Sequence, residues 1–326
     1  MMRGAEWPPG GALRPGRERR VASRDQSRTQ ARLFGVLGDP VDHSLSPAMH
    51  NAAFAATGLP HLYLRYRVPP AELGAALEEA RALRMGGLNL TVPLKEAVLP
   101  FLDGLTIEAT RAGAVNTIVL AAGGRRLLGD NTDGRGFLRA IGGRVVLRGS
   151  VAVLIGAGGS ARAVGGALAG AGCARLIIAN RTLARAEALA DRLARTAGLD
   201  TVAGPLAALA TGDVLEEAAL VVNTTPLGLA GRRLPIRYQA SRPRCLFVDL
   251  VYGSRPTPFL AGATRARRPT LDGGLMLLHQ GALAFEAWTG LRAPRTAMAR
   301  ALVTAGLPLT EPRRTTSVGY GRPPMP

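Results

Sequence analysis

This chain has 41 lysine and arginine residues, and Lys95 is the only lysine among them. Arginine serves solubility, ion pairing and phosphate binding, but it keeps its proton at any useful pH. A lysine amine can give up its proton where the surroundings disfavour the charge. A solitary lysine is therefore a candidate for proton transfer, set against the plainer alternative of one survivor of compositional drift. Its neighbourhood decides between them. In NLTVPLK at 89–95, Asn89 and Thr91 fall on one face of an extended segment, and Pro93 suits the start of a helix. Lys95 then sits in a first helical turn, where the positive end of the helix dipole favours the neutral amine. A carboxylate could orient that amine. NTDG at 131–134 offers Asp133, although an Asp-Gly pair is by itself better read as a turn.

Two further constellations bind rather than react. In HSLSPAMHN at 43–51, Ser44 and Ser46 are two apart, so an extended loop presents both hydroxyls on one side, as a carboxylate would need. Ser46 also suits an N-cap for a helix opening at Pro47. GAGGSA at 156–161 fits G-x-G-x-x-[GA] through Gly156, Gly158 and Ala161, between a predicted strand and a predicted helix. The first glycine permits the tight turn, the second lets backbone approach a pyrophosphate, and helix N–H groups receive the anion. NAD sites place an acid at the end of the next strand, to hold the ribose 2′-hydroxyl. Here that strand ends in Asn180, Arg181 and Thr182, with Arg185 one turn on. The arginines suit a 2′-phosphate, hence NADP, and Thr182 also suits a helix N-cap.

The elements that must position these groups alternate along the chain. Strands are predicted over 33–38, 62–68 and 87–92, and helices over 46–58 and 70–83. The segments at 115–121 and around Leu127 form a hairpin. After 129–137 the pattern becomes strand at 151–155, glycine turn and helix, strand at 174–182, and a helix to about 198. Strands at 220–226 and 245–252 follow. The fold class is α/β: an N-terminal α/β unit, then a doubly wound parallel sheet of Rossmann type. Residues 1–31, rich in Gly, Pro, Arg and Ser, and the segment from about 307 carry no periodic apolar pattern and read as disordered.

Composition narrows the function. At 326 residues there is room for about two domains. Two cysteines, Cys173 and Cys245, make no disulfide framework and suit a reducing compartment. The four histidines have no metal-ligand spacing, so no metal is expected. No apolar run is long enough for a membrane span. The net charge of +18 raises nucleic-acid binding. Residues 1–32 hold eight arginines against Glu6, Glu18 and Asp25, and the rest are scattered on helix faces beside acids. Aromatics are 4%, too few for a base-stacking platform. A basic surface also suits an enzyme of anionic ligands.

In this order the motifs resemble the shikimate dehydrogenase family: SLSPAMHN at 44–51, NLTVPLK at 89–95, GAVNT at 113–117, GDNTDG at 129–134, GAGGSARA at 156–163, NRTLAR at 180–185, NTTPLG at 223–228, and DGGLMLLHQGALAFEAWTG at 272–290. One departure is Ser254, in YGSRPTPFL, where the family often has proline. The resemblance implies reversible reduction of 3-dehydroshikimate to shikimate by NADPH, in the cytoplasm, by a monomer or homodimer with no nucleic-acid or membrane partner. The resemblance runs from about 33 to 306 and implies a substrate-binding domain of 33–132 plus 273–306 and an NADP-binding Rossmann domain over 133–272, with a cleft between them. Outside it, composition leaves a tail over 307–326 and a basic extension over 1–32 that reads as disordered, with a transit-like segment or a start assigned too far upstream as the alternatives. Lys95 and Asp133 would be the catalytic pair. Ser44 and Ser46 would take the substrate carboxylate, with Thr91, Asn116, Tyr252 and Gln280 around the ring. The cofactor would meet Gly156, Ala157, Gly158, Gly159, Ser160, Asn180, Arg181, Thr182, Arg185, Leu250 and Gly273. The alternatives are a quinate/shikimate dehydrogenase with relaxed substrate or NAD use, and a non-catalytic paralogue that binds the same ligands.

Overall fold

The computed structural model describes residues 30–309, apart from 229, 230 and 232. The expected basic extension and tail therefore lie almost wholly outside the described residues. The apolar run ending in Gly38 forms strand β1 (Leu33–Gly38), buried along most of its length as a central strand must be. β2 (Leu62–Arg67) buries Tyr63 and leaves Leu62, Leu64 and Arg65 outside, because it forms the sheet edge. With β3 (Gly87–Leu90), β4 (Gly104–Leu105), β5 (Thr117–Ala121) and β6 (Arg126–Asp130) they make a six-stranded sheet of order β2-β1-β3-β5-β6-β4. β5 and β6 pair antiparallel, the predicted hairpin.

The second sheet holds β7 (Val151–Ile155), β8 (Arg175–Asn180), β9 (Asp200–Pro205), β10 (Ala218–Asn223), β11 (Leu246–Asp249) and β12 (Thr270–Leu271) in the order β12-β11-β10-β7-β8-β9. Every pairing in it is parallel. Counted from β7 the order is that of the doubly wound dinucleotide fold, with the topological switch between β7 and β10.

Helices cover the sheets: α1 (Ser46–Ala56), α2 (Leu73–Ala82), α3 (Leu94–Ala97), α4 (Ile107–Ala112), α5 (Asp133–Ile141), α6 (Gly159–Gly170), α7 (Leu183–Ala197), α8 (Ala208–Thr211), α9 (Pro258–Arg265), α10 (Gly274–Thr289) and α11 (Arg295–Thr304). Two of them join the layers. Helix α10 gives Leu275 and Met276 to the core of the second sheet, and Leu277, Leu278, Ala282 and Phe285 to a core with β1, α1 and α11. Helix α5 lies close against both α6 and α10. A Cβ on Gly134 would stand 2.7 Å from the Ala163 carbonyl oxygen, and one on Gly136 would stand 2.8 Å from Gln280. Those glycines let the start of α5, and with it Asp133, enter between the sheets.

Local expectations need correcting. Ser46 does not cap α1 but lies in its first turn with its side chain buried. Leu45 holds the cap position, and no side chain caps the helix. Thr182 occupies the N-cap of α7 without a side-chain bond to it. Asp133 opens α5 instead of forming a turn. The helix predicted from residue 70 begins as a 3₁₀ turn over Pro70–Glu72. Helix α3 is a single turn, too short to build the dipole expected at Lys95. Leu307, the first residue of the expected tail, is buried beside α11.

Candidate active site

A cavity of about 180 Å³ opens between the sheets. Its first wall comes from the ends of β1 and β3 and from the loop before α1. Its second comes from the segment after β11 and the start of α10. Ser44, Ser46, Thr91, Lys95, Asn116, Asp133, Tyr252 and Gln280 all line it, so residues from nearly the whole described chain converge. Leu250, Gly273 and Ser160, expected around the cofactor, line it as well.

At its centre Lys95 Nζ donates to Asp133 Oδ2 at 2.6 Å and to Ser160 Oγ at 3.1 Å. Both charged side chains are largely withdrawn from water, so the pair is strong and directional. Asp133 is held from behind: Asn116 Nδ2 donates to Oδ1 at 2.7 Å, and the Asp133 N–H donates to Asn131 Oδ1 at 3.1 Å. Asn116 also donates to Thr132 Oγ1 at 2.9 Å and to Gln280 Oε1 at 3.3 Å, and its Oδ1 receives the Thr132 N–H at 2.8 Å. The carboxylate is thereby fixed to about one orientation, with Oδ2 presented to the amine.

The serine end of the cavity is built from the loop before α1. Ser44 Oγ accepts the Ser46 N–H at 3.3 Å, which turns the loop so that both hydroxyls face inward. Arg65 clamps the same loop, its Nε and Nη2 donating to the Ser44 carbonyl at 2.8 and 2.6 Å. Sequence reading missed Arg65 because on an alternating edge strand it looks like one more solvated arginine. Burial pushes the Tyr252 hydroxyl above its ordinary pKa, with hydrogen bonding to Leu45 and Ser44 opposing it, so Tyr252 is a neutral donor and acceptor. Asn89, noted only for its strand face, is a second keystone. It accepts from Tyr63 Oη at 2.8 Å and donates to the Asn116 carbonyl and Thr117 Oγ1.

A second cleft of about 360 Å³ adjoins the cavity at the switch point of the second sheet, and the two share Lys95 and Ser160. Gly156, Ala157, Gly158, Gly159, Ser160, Asn180, Arg181 and Arg185 line it. Gly156 has φ +113°, open only to glycine, and a Cβ there would meet Thr224 Oγ1 at 2.5 Å. A Cβ on Gly158 would meet nothing within 4 Å, so the space over the N-terminus of α6 is free for a ligand. Exposed backbone N–H groups and two flanking arginines fit the phosphates of a dinucleotide. Thr182 is not in the lining; its carbonyl accepts from Asn180 Nδ2. Sequence reading missed Thr224, Thr225, Pro226 and Leu227, although NTTPLG at 223–228 signalled that loop, and also missed Glu96, which pairs with Arg162 at 3.2 Å and Arg185 at 3.7 Å.

Glycine turn, switch-point cleft and adjoining lysine–carboxylate pair define a two-sheet α/β protein of the dinucleotide-binding class. Three family models match: shikimate dehydrogenase substrate binding domain at 36–118, shikimate / quinate 5-dehydrogenase at 141–250, and shikimate 5′-dehydrogenase C-terminal domain at 275–303. The chain belongs to the shikimate dehydrogenase family. A relative named shikimate dehydrogenase (NADP(+)) from Moorella thermoacetica is 47% identical over 85% of this chain and 94% of its own length. The shikimate 5-dehydrogenase of Thermus thermophilus, solved with NADP(H) and shikimate, is 42% identical with TM-score 0.72, covering 84% of this chain and 99% of that one. Quinate dehydrogenase from Corynebacterium glutamicum, solved with NAD, is 34% identical with TM-score 0.75, again over 84% of this chain and 99% of that one. No helix among the described residues is long and apolar enough to cross a membrane.

Proposed function

We propose that this protein catalyses the reversible NADPH-dependent reduction of 3-dehydroshikimate to shikimate, on the route to chorismate and the aromatic amino acids. The observation that carries the reading is the placement of the buried Lys95–Asp133 pair where the small polar cavity and the dinucleotide cleft meet. In this reading residues 33–132 with 273–306 form the substrate-binding domain, and residues 133–272 form the NADP-binding domain. The activity is assigned to the cytoplasm, which suits two unpaired, buried cysteines.

When bound, NADPH supplies the hydride that attacks the ketone carbon. Negative charge then grows on the carbonyl oxygen. Lys95 Nζ, as ammonium, stabilises that charge and passes a proton to the oxygen; in the reverse direction the neutral amine takes the proton back. Asp133 Oδ2 aims the amine and shares an adjacent ring hydroxyl. Ser44 and Ser46 donate to the substrate carboxylate, and the Arg65 guanidinium behind them adds a favourable field. Thr91, Asn116, Tyr252 and Gln280 hold the ring hydroxyls, while Leu250, Met276 and Leu277 supply apolar wall. A cavity of about 150 Å³ accommodates a six-membered ring, so the space fits one small substrate.

NADP is favoured over NAD because Arg181, just past β8, and Arg185, in the first turn of α7, line the cleft, residues 180–185 offer no acid for a 2′-hydroxyl, and the nearby Glu96 is engaged by Arg162 and Arg185. The test follows absorbance at 340 nm with shikimate or quinate and with NADP or NAD, in wild type and Lys95→Ala. Shikimate with NADP should turn over fastest, and Lys95→Ala should lose most of kcat with a far smaller change in KM. Faster turnover of quinate with NAD would reassign the enzyme, and no cofactor reduction with any pair would make it a binding protein.

A further inference from the structure

Asp249 ends β11 and has no part in the chemistry above. It is wholly buried. Its Oδ1 accepts from Asn223 Nδ2 at 2.9 Å and from the Val251 N–H at 3.1 Å, and its Oδ2 accepts from Thr257 Oγ1 at 2.6 Å. All three donors are neutral, and among the described residues no cation forms an ion pair with it. A buried carboxylate without a counter-ion is costly anywhere, and here it occurs in a chain of net charge +18. Tying strand ends together does not require a charge, since Asn223 next to it ties Thr225 with a neutral amide.

Its location suggests what the charge does. The second sheet meets the substrate cavity through Ser160, Leu250, Tyr252 and Gly273. Hydride passes only between atoms in contact, so the nicotinamide ring must come in along that wall, and Leu250 is the residue after Asp249. The ring is cationic in the oxidised cofactor and neutral in the reduced one.

We propose that Asp249 sets the redox-state preference of the cofactor site: its negative charge, held behind Leu250, tightens binding of NADP+ relative to NADPH. This rests on the cleft being the NADP(H) site. Burial pushes the Asp249 carboxyl up to about 6, against the pull of its hydrogen bonds, so at pH 8 it is an anion.

The test is the pair of dissociation constants on the purified full chain at pH 8, NADPH from its fluorescence and NADP+ by displacement. In Asp249→Asn the ratio Kd(NADP+)/Kd(NADPH) should rise about three- to tenfold. Thr257→Val removes the hydrogen bond that most favours the charged carboxyl, so its ratio should rise at pH 8 by no more than in Asp249→Asn and return to the wild-type value as pH is raised to 9 and the anion is restored; a ratio equally raised at both pH values would overturn the proposal. Equal changes of both constants in Asp249→Asn would overturn the proposal and leave only a structural role. Should that variant not fold, the wild-type ratio serves: it should rise as pH falls from 8 to 5 and Asp249 takes up a proton, because the 2′-phosphate is common to both ligands and cancels. Among the described residues the other titratable groups whose charge reaches Asp249 are Asp272, raised by its own burial, and Tyr238, pushed up to about 12 by burial and neutral throughout. The rise should persist in Asp272→Asn, and a flat ratio there would overturn the proposal. Wild-type protein that binds neither form would overturn the cofactor reading itself.

Discussion

The cavity and the cleft meet at Lys95 and Ser160, yet they are built on opposite principles. The cavity is made of side chains tied to other side chains: Asn116 to Thr132, Asp133 and Gln280, and Asn89 to Tyr63 and Thr117. Most are buried, and each fixes the next. The cleft is made of backbone: a glycine turn, the open end of α6, and a loop whose Thr225 hangs on Asn223. Its two arginines, Arg181 and Arg185, are exposed and lie at the rim. A network of satisfied, buried groups has essentially one arrangement and suits one small substrate; a backbone seat accepts any ligand with the right phosphates and leaves selection to the rim. Changes in the cavity should therefore strike the chemistry steeply, and changes in the cleft should degrade binding by degrees.

The largest effect tests the steep side. Lys95→Arg keeps the charge and the ion pair with Asp133 but cannot release a proton. It should cost about 10²- to 10⁴-fold in kcat, measured at saturating shikimate and NADP, with the shikimate dissociation constant little changed. Near wild-type kcat would mean that charge alone suffices and that proton transfer goes elsewhere.

On the graded side, Gly158→Val comes next. Gly158 has extended backbone that valine adopts readily, and its Cβ direction is empty. The fold should therefore tolerate the change while the side chain fills the anion seat. NADPH affinity should fall on the order of a hundredfold, with shikimate binding and thermal midpoint close to wild type. Unchanged NADPH affinity would remove the cleft as the cofactor seat.

The same contrast explains what the sequence made legible. The glycine turn, the doubly wound order and the arginines at the end of β8 were readable because backbone demands leave fixed signatures: Gly156 must be glycine, and a strand must precede it. Lys95 was readable by its rarity. The keystones were not. Asn89 and Arg65 matter through what they touch across the sheet, and neither spacing nor periodicity encodes those contacts. Asp133 looked like a turn because the reason for its helix start is the close approach of α5 to α6 and α10, a tertiary fact. β9 (Asp200–Pro205) went unread because, as a sheet edge, it has no continuous apolar run. The resemblance, more than periodicity, assembled the substrate residues, and Thr182, which it carried into the cofactor set, stands outside the cleft.

Rim selection should show a smaller effect. Among the described residues Arg181 has no acidic partner, whereas Arg185 leans on Glu96 at 3.7 Å. Arg181→Ala should raise the KM for NADPH about tenfold and leave that for NADH unchanged, and Arg185→Ala should do less. Equal losses for both cofactors in Arg181→Ala would mean that the arginine steers phosphate in general and does not discriminate the 2′-phosphate.

The smallest effect on activity belongs to His50, beneath the cavity. Its ring stacks on Tyr63 with centroids 4.5 Å apart, is wholly buried, and has no hydrogen-bond partner on either nitrogen. Burial lowers its pKa to about 3. Above pH 6.5 the imidazole is neutral both folded and unfolded and costs no stability. Below 6.5 the unfolded chain takes up a proton that the folded chain refuses until about 3, so stability is lost as pH falls through that window. The loss runs at up to about 1.4 kcal/mol per pH unit, or about 2 kcal/mol between pH 6.5 and 5. His50→Leu should remove that part of the pH dependence, read as a smaller drop in urea midpoint from pH 7 to pH 5, with kcat at pH 8 within about twofold of wild type. His61 and His279 are shifted the same way and remain in the variant, so the difference between the two proteins reports His50 alone. An identical drop in both would place the acid sensitivity elsewhere. The smaller drop in His50→Leu would place that part of the fold's pH dependence in the core beneath the networked cavity, at a ring that the cleft does not touch.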